Sequence, residues 1–236
     1  MKKLGILFFI ASMIIFTSCE KVVGEGPLVN ETRATGNFTG IESELSANVT
    51  YVQGNEYKIE LAAQQNVLNV METPVINNKL IVRFKNNVRV KADEQITIKV
   101  TAPSISSIGA SGSGNVNVLS PLSANDLFFR LSGSGNIILP VIACANLEAN
   151  ISGSGNISIA GGTATTEHLR ISGSGNIEAP AVLAKSVSTT TSGSGIMKVA
   201  ASETLDVTIS GSGSVYYSGT PVVTTNISGS GKVIHQ

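Results

Sequence analysis

The sequence predicts an all-β fold, a single-stranded parallel β-helix of about seven coils preceded by a hairpin-rich β layer. Three observations predict it. The tripeptide Gly-Ser-Gly recurs with its first glycine at 112, 133, 153, 173, 193, 211 and 229, spacings of 21, 20, 20, 20, 18 and 18 residues. A near-constant period of that length marks units that stack on one another. Apolar and polar residues alternate on both sides of each tripeptide, and the alternation keeps its phase through it. Ahead of the repeats, apolar alternation is interrupted by Gly-Asn, Asn-Asn and Pro, the punctuation of short strands.

The elements follow in chain order. Residues 1–18 combine a basic start, "MKK", with the apolar run "LGILFFIASMIIF", and are read as a secretory signal peptide. The "TSC" that closes the run resembles a bacterial lipobox, which makes Cys19 the lipidated first residue of the mature chain and the membrane its partner. The expected location is the outer membrane of the cell envelope, with the periplasmic or surface side left open. Residues 19–35 read as a tether. Within 36–104, "NVTYVQGNEYKIEL" alternates around Gly-Asn and "PVINNKLIVRF" around Asn-Asn, while "EQITIKVTAP" is a strand ended by proline. Together they read as a non-repetitive hairpin layer that caps one end.

Residues 105–236 form the coils. Two residues before each first glycine stand Ala110, Leu131, Ile151, Ile171, Thr191, Ile209 and Ile227; four after it stand Val116, Ile137, Ile157, Ile177, Met197, Val215 and Val233. Strand side chains alternate between faces, so these columns point inward and the serines outward. Gly-Ser-Gly is then an elbow within one extended segment, its glycines clearing the inside of the bend. A second corner falls near Pro121, Pro140, Gly161–Gly162, Pro180 and Pro221. A right-handed coil is expected, because hexapeptide repeats are missing and parallel crossovers favour that hand.

Composition excludes some partners. Sixteen basic residues balance sixteen acidic ones, and with no basic block nucleic acid is not expected to bind. After processing, Cys144 stands alone, so an internal disulfide is not expected and the residue reads as a small core hydrophobe.

The segments "FTGIESELSANVTYVQGNEYKIEL", "NNKLIVRF", "ITIKVTAPSISSIGASGSGNV" and the later "SGSGN" copies resemble the auto-transporter adhesin family with a head GIN domain, found largely in lipoproteins and secreted proteins of Bacteroidetes-type bacteria. The resemblance spans about 36–236. It implies a β-helical head GIN domain, an envelope location and an adhesin role. The "KVIHQ" after Gly231 holds no barrel strands, so self-translocation is not expected.

Candidate sites are few. Stacking aligns Asn115, Asn136, Asn156 and Asn176 in an outward column whose amides could bond along it or meet a glycan. Phe128 and Tyr216 fall at outward offsets and are candidate sugar platforms. Glu148 and His168 share one offset on adjacent coils, and Arg130 and Arg170 share another, forming a candidate charged cluster. No catalytic residue, cofactor or metal is assigned, since the repeats lack the regular carboxylates a hard cation needs. The reading is therefore a non-enzymatic envelope lipoprotein presenting a rigid surface to a glycan or protein partner, with the C-terminal coil a candidate homodimer contact. The alternatives are a carbohydrate-active enzyme on the same scaffold and a structural or assembly protein.

Overall fold

A computed structural model describes residues 20–92 and 94–236; the signal segment and Cys19 lie outside the described residues. The chain winds as a β-solenoid of about six turns, with 69% of residues in strands. The count differs slightly from the seven coils expected from the Gly-Ser-Gly corners.

The long wall stacks Ser107–Gly112, Asp126–Gly133, Ile142–Gly153 and Gly162–Gly173, then the ends of Asn176–Gly193 and Ile196–Gly211, then Val222–Gly229. All pair in parallel, and the first glycine of each corner lies on the first glycine of the next. Past the corner, a second wall stacks Val116–Val118, Asn136–Leu139, Asn156–Ile159 and their successors to Lys232–His235. A return leg begins at Leu122, Ile142, Gly162 and Val182, again in register. Leu131, Ile151, Ile171 and Ile209 are buried, as are Ile137, Ile157, Ile177 and Met197, while the serines of the later corners face solvent.

The two glycines of each corner do different work. The first has φ between +100° and +136°, a region essentially reserved for glycine. The second is confined from below: a Cβ on Gly135 would overlap the carbonyl oxygen of Gly114, and one on Gly155 that of Gly135. The first-glycine carbonyls from Gly112 to Gly211 also accept hydrogen bonds from the coil above, as Gly112 does from the amides of Ser134 (3.0 Å) and Gly135 (3.2 Å). The constraint is therefore along the stack as well as toward the interior. Coils approach so closely at the elbow that side chains have no place there.

Two expectations need correction. The segment read as a tether is folded from Glu20 onward: Glu20–Val23 pairs in parallel with Val88–Lys91, and Leu28–Ala34 pairs antiparallel with Lys58–Gln64 over its whole length. Its polar composition hides an alternation in which Val29, Glu31 and Arg33 turn inward, and the Arg33 guanidinium ties down the carbonyls of Leu68 and Met71, each at 3.0 Å. Nor is the layer ahead of the repeats a set of consecutive hairpins. Asn48–Gln53 and Lys58–Gln64 do not pair with each other; Thr97–Ala102 lies between them, parallel to the first and antiparallel to the second. The other edge of Asn48–Gln53 is taken by Val116–Val118.

Residues 40–53 are thus a coil without glycines at its corner. Gly40–Ser43 underlies the long wall and Asn48–Gln53 the second wall, both in parallel register. At the elbow Ser46 lies below Gly112 and Ala47 below Gly114. The Asn77–Asn78 turn does form, with φ of 50° and 61°, and reverses the chain between Val75–Ile76 and Lys79–Phe84. Lys79–Phe84 then extends the long wall below Gly40–Ser43.

Candidate functional site

The asparagine column is the most regular polar feature of the surface. Asn136 Nδ2–H donates to Asn115 Oδ1, Asn156 to Asn136 and Asn176 to Asn156, each at 2.8 Å. The column begins below the repeats, where Asn48 Oδ1 accepts from the Asn115 amide (3.1 Å), and ends where Asn176 Oδ1 accepts from the Ile196 amide (3.1 Å). These half-buried side chains spend their amides on one another. Their place is structural, clamping each elbow to the next, rather than that of a free binding face.

The long wall presents the opposite arrangement. Its register stacks Phe128, Glu148 and His168 in one outward column and Arg130, Asn150 and Arg170 in the next. The result is a grid of three rows and two columns, with rows ~4.8 Å apart and columns ~7 Å apart. Phe128 is 48% exposed, and Arg130, Glu148, His168 and Arg170 are also exposed. In the middle row Asn150 Nδ2–H donates to Glu148 Oε1 at 2.7 Å. Among the described residues no carboxylate lies within salt-bridge reach of Arg130 or Arg170.

The grid continues downward. Ser107 and Gly109 form the row below Phe128 and Arg130. Gly109 leaves space there for the carboxylate of Glu42, which lies where a Cβ would stand. Burial raises the Glu42 carboxyl above its ordinary value, against the opposing pull of Lys79 and Arg130. Glu42, Lys79, Phe128, Arg130 and Glu148 line a shallow depression of about 300 Å³. A second, of about 340 Å³, continues it along Glu148, Asn150, His168 and Arg170. The two share Glu148 and Asn150, so they make one trough along the stacking direction.

Phe128 and the charged cluster, separate features in the sequence, therefore meet on one surface. Their common offsets carried the signal. Tyr216 does not join them: it sits on the second wall, in register with Lys198 and Ile234, beside the Lys198–Glu178 ion pair (3.0 Å).

Glu167 was missed altogether. It stands six residues before Gly173, an inward offset, stacked between Leu147 and Val187. It is fully buried, and neither carboxylate oxygen has a hydrogen-bond partner among the described residues. Burial pushes its carboxyl up to about 8. It faces the core while its neighbour His168 faces solvent, so the two cannot act on one ligand. Cys144 is half-buried, its thiol pushed up to about 11 by burial and then by the Glu167 and Asp126 charges, which makes it a poor nucleophile.

A family model described as "Putative auto-transporter adhesin, head GIN domain" matches residues 37–221. Among solved structures, a putative adhesin from Bacteroides fragilis is 24% identical with a TM-score of 0.83, covering 91% of this chain and 100% of its own. A putative adhesin from Parabacteroides distasonis is 22% identical with a TM-score of 0.76, covering 92% and 100%. A protein of the same organism described as a putative lipid binding protein is 22% identical with a TM-score of 0.79, covering 92% and 100%. At these identities the likeness concerns the fold. No curated protein matches the sequence.

Proposed function

Since the chain belongs to this head GIN domain family of auto-transporter adhesins, we propose that it is a non-enzymatic envelope lipoprotein, held to the outer membrane through Cys19, whose solenoid presents the long-wall trough to a glycan. The observation that carries this reading is the grid itself. An exposed aromatic face, two guanidiniums that form no salt bridge among the described residues, an amide and a carboxylate converge on one wall of stacked strands. Sugars are held by that combination, an apolar platform for the ring and charged or amide groups for its hydroxyls. Parallel stacking on both sides fixes the backbone positions of these residues in register, so binding has only the exposed side chains to order.

Screening the purified full-length protein in detergent against immobilised glycans tests the proposal. Binding is expected, with Phe128→Ala weakening it about ten-fold through loss of the ring contact. Absence of binding, or binding untouched by Phe128→Ala, contradicts it. The enzyme alternative rests on Glu148 and His168 and predicts glycan cleavage that Glu148→Gln abolishes. A second contact, between two copies, is supported by the coil at Val222–Gly229, which among the described residues pairs on one side and leaves Ile227 40% exposed. Sedimentation of the full chain as a strict monomer at high concentration argues against that contact.

A further inference from the structure

We infer that the trough takes an acidic polysaccharide of alternating acidic and neutral sugars, laid along the stacking direction with one carboxylate on Arg130 and the next on Arg170. The inference rests on the glycan reading of the trough and specifies its ligand. The two arginines share one column and point from the same wall, separated by one coil, so they are ~10 Å apart. Neither forms a salt bridge among the described residues, although Glu42 lies near enough to Arg130 to feel its charge. A guanidinium is a planar fork that matches a carboxylate.

The row between them sets the alternation. Glu148 is held there by Asn150 and repels an anion, while its remaining acceptor sites and the Asn150 amide suit sugar hydroxyls. A polymer with an acid on every ring would force a carboxylate onto Glu148. One with acids on alternate rings places a neutral ring there. Counting the ends, Lys79, Arg130 and Arg170 oppose Glu42 and Glu148, leaving a net positive trough. Phe128 supplies a ring platform beside Arg130.

The test is calorimetric titration of the full-length protein in detergent with four probes of equal length. These are an alternating glucuronate–N-acetylglucosamine oligosaccharide, an oligogalacturonate, a neutral N-acetylglucosamine oligomer and oligoglutamate. The alternating probe is expected to bind at least about ten-fold tighter than the others, and Arg130→Gln or Arg170→Gln to weaken it about ten- to hundred-fold with unchanged thermal unfolding. Arg170→Lys, which keeps the charge but loses the fork, should recover only part of the loss. Equal binding of the neutral oligomer overturns the inference and leaves the glycan reading standing. Equal binding of oligogalacturonate overturns the alternation, and equal binding of oligoglutamate points to an acidic protein segment instead. Binding of the alternating probe that survives both arginine substitutions also overturns it. No binding of any probe removes inference and reading together.

Discussion

Two outward surfaces of the same solenoid handle hydrogen bonding in opposite ways. Past the elbow, four repeats place asparagine at one offset, and each amide bonds to the asparagine of the neighbouring coil. On the long wall the two columns that carry Phe128 and Arg130 change residue from coil to coil up to His168 and Arg170, and among the described residues neither Arg130 nor Arg170 forms a salt bridge. Repetition here marks what holds the coils together. Departure from repetition marks what is left for a ligand, or, when it points inward, a local cost to stability.

The inward departure gives the largest expected effect. Glu167 interrupts a column of Leu127, Leu147, Val187 and Leu205, and its carboxyl stands at about 8 against an ordinary 4.5. The folded chain therefore holds a proton that the unfolded chain releases between those values. The contribution of Glu167 to stability should be full below about pH 4.5, decline as pH rises, and level off above about 8, with a limiting loss of roughly 5 kcal/mol. Urea unfolding at pH 5 and pH 9 checks this, and Glu167→Leu should remove most of the difference between them and raise stability at the higher pH. A flat profile in the parent protein would show that the acid has found water or a partner.

Next come the elbows. Gly153→Ala places a Cβ in the φ +136° region and against the Gly133 carbonyl, a cost of about 3 kcal/mol or more. The same substitution at the solvent-exposed Gly36, which has open space around it, should be nearly silent. Smaller still is the ladder. Asn156→Ala orphans the amides of Asn136 and Asn176 and should lower stability by about 1–3 kcal/mol. Extending the column with Ile196→Asn should shift stability by less than about 1 kcal/mol, in the favourable direction. Last, His168→Ala on the exposed grid should leave unfolding within about 0.5 kcal/mol of the parent.

Much of the coil was legible because period two survives intact through every Gly-Ser-Gly, which fixes both the inside and the register of all seven corners. The coil at residues 40–53 was not, since Ala47 stands where later coils have glycine, and the tripeptide was the cue. Its partner Thr97–Ala102 pairs residue by residue across a sequence separation of 49, and local alternation cannot distinguish a hairpin neighbour from a distant one. The strand Leu28–Ala34 was hidden by composition, because its inward Glu31 and Arg33 serve the carbonyls and acids around them rather than an apolar core. At the site, offsets placed Glu148 with His168 and Arg130 with Arg170. Phe128 shares the offset of Glu148, but an aromatic ring and a charged pair carry no common sequence signal beyond that offset. Glu167 was equally countable, at an even offset where every other coil but one turns a non-polar residue inward; a charged residue in a core column is the signal to look for.

The division between a self-bonded ladder and an open grid is tested most directly by a paired measurement, in which Asn136→Ala/Asn156→Ala and Arg130→Gln/Arg170→Gln proteins are each unfolded thermally and titrated with the same acidic oligosaccharide. The ladder variant should melt several degrees lower and keep its affinity. The arginine variant should melt with the parent and lose most of its binding. An arginine variant that melts early while still binding, or a ladder variant that is stable but no longer binds, would contradict the account.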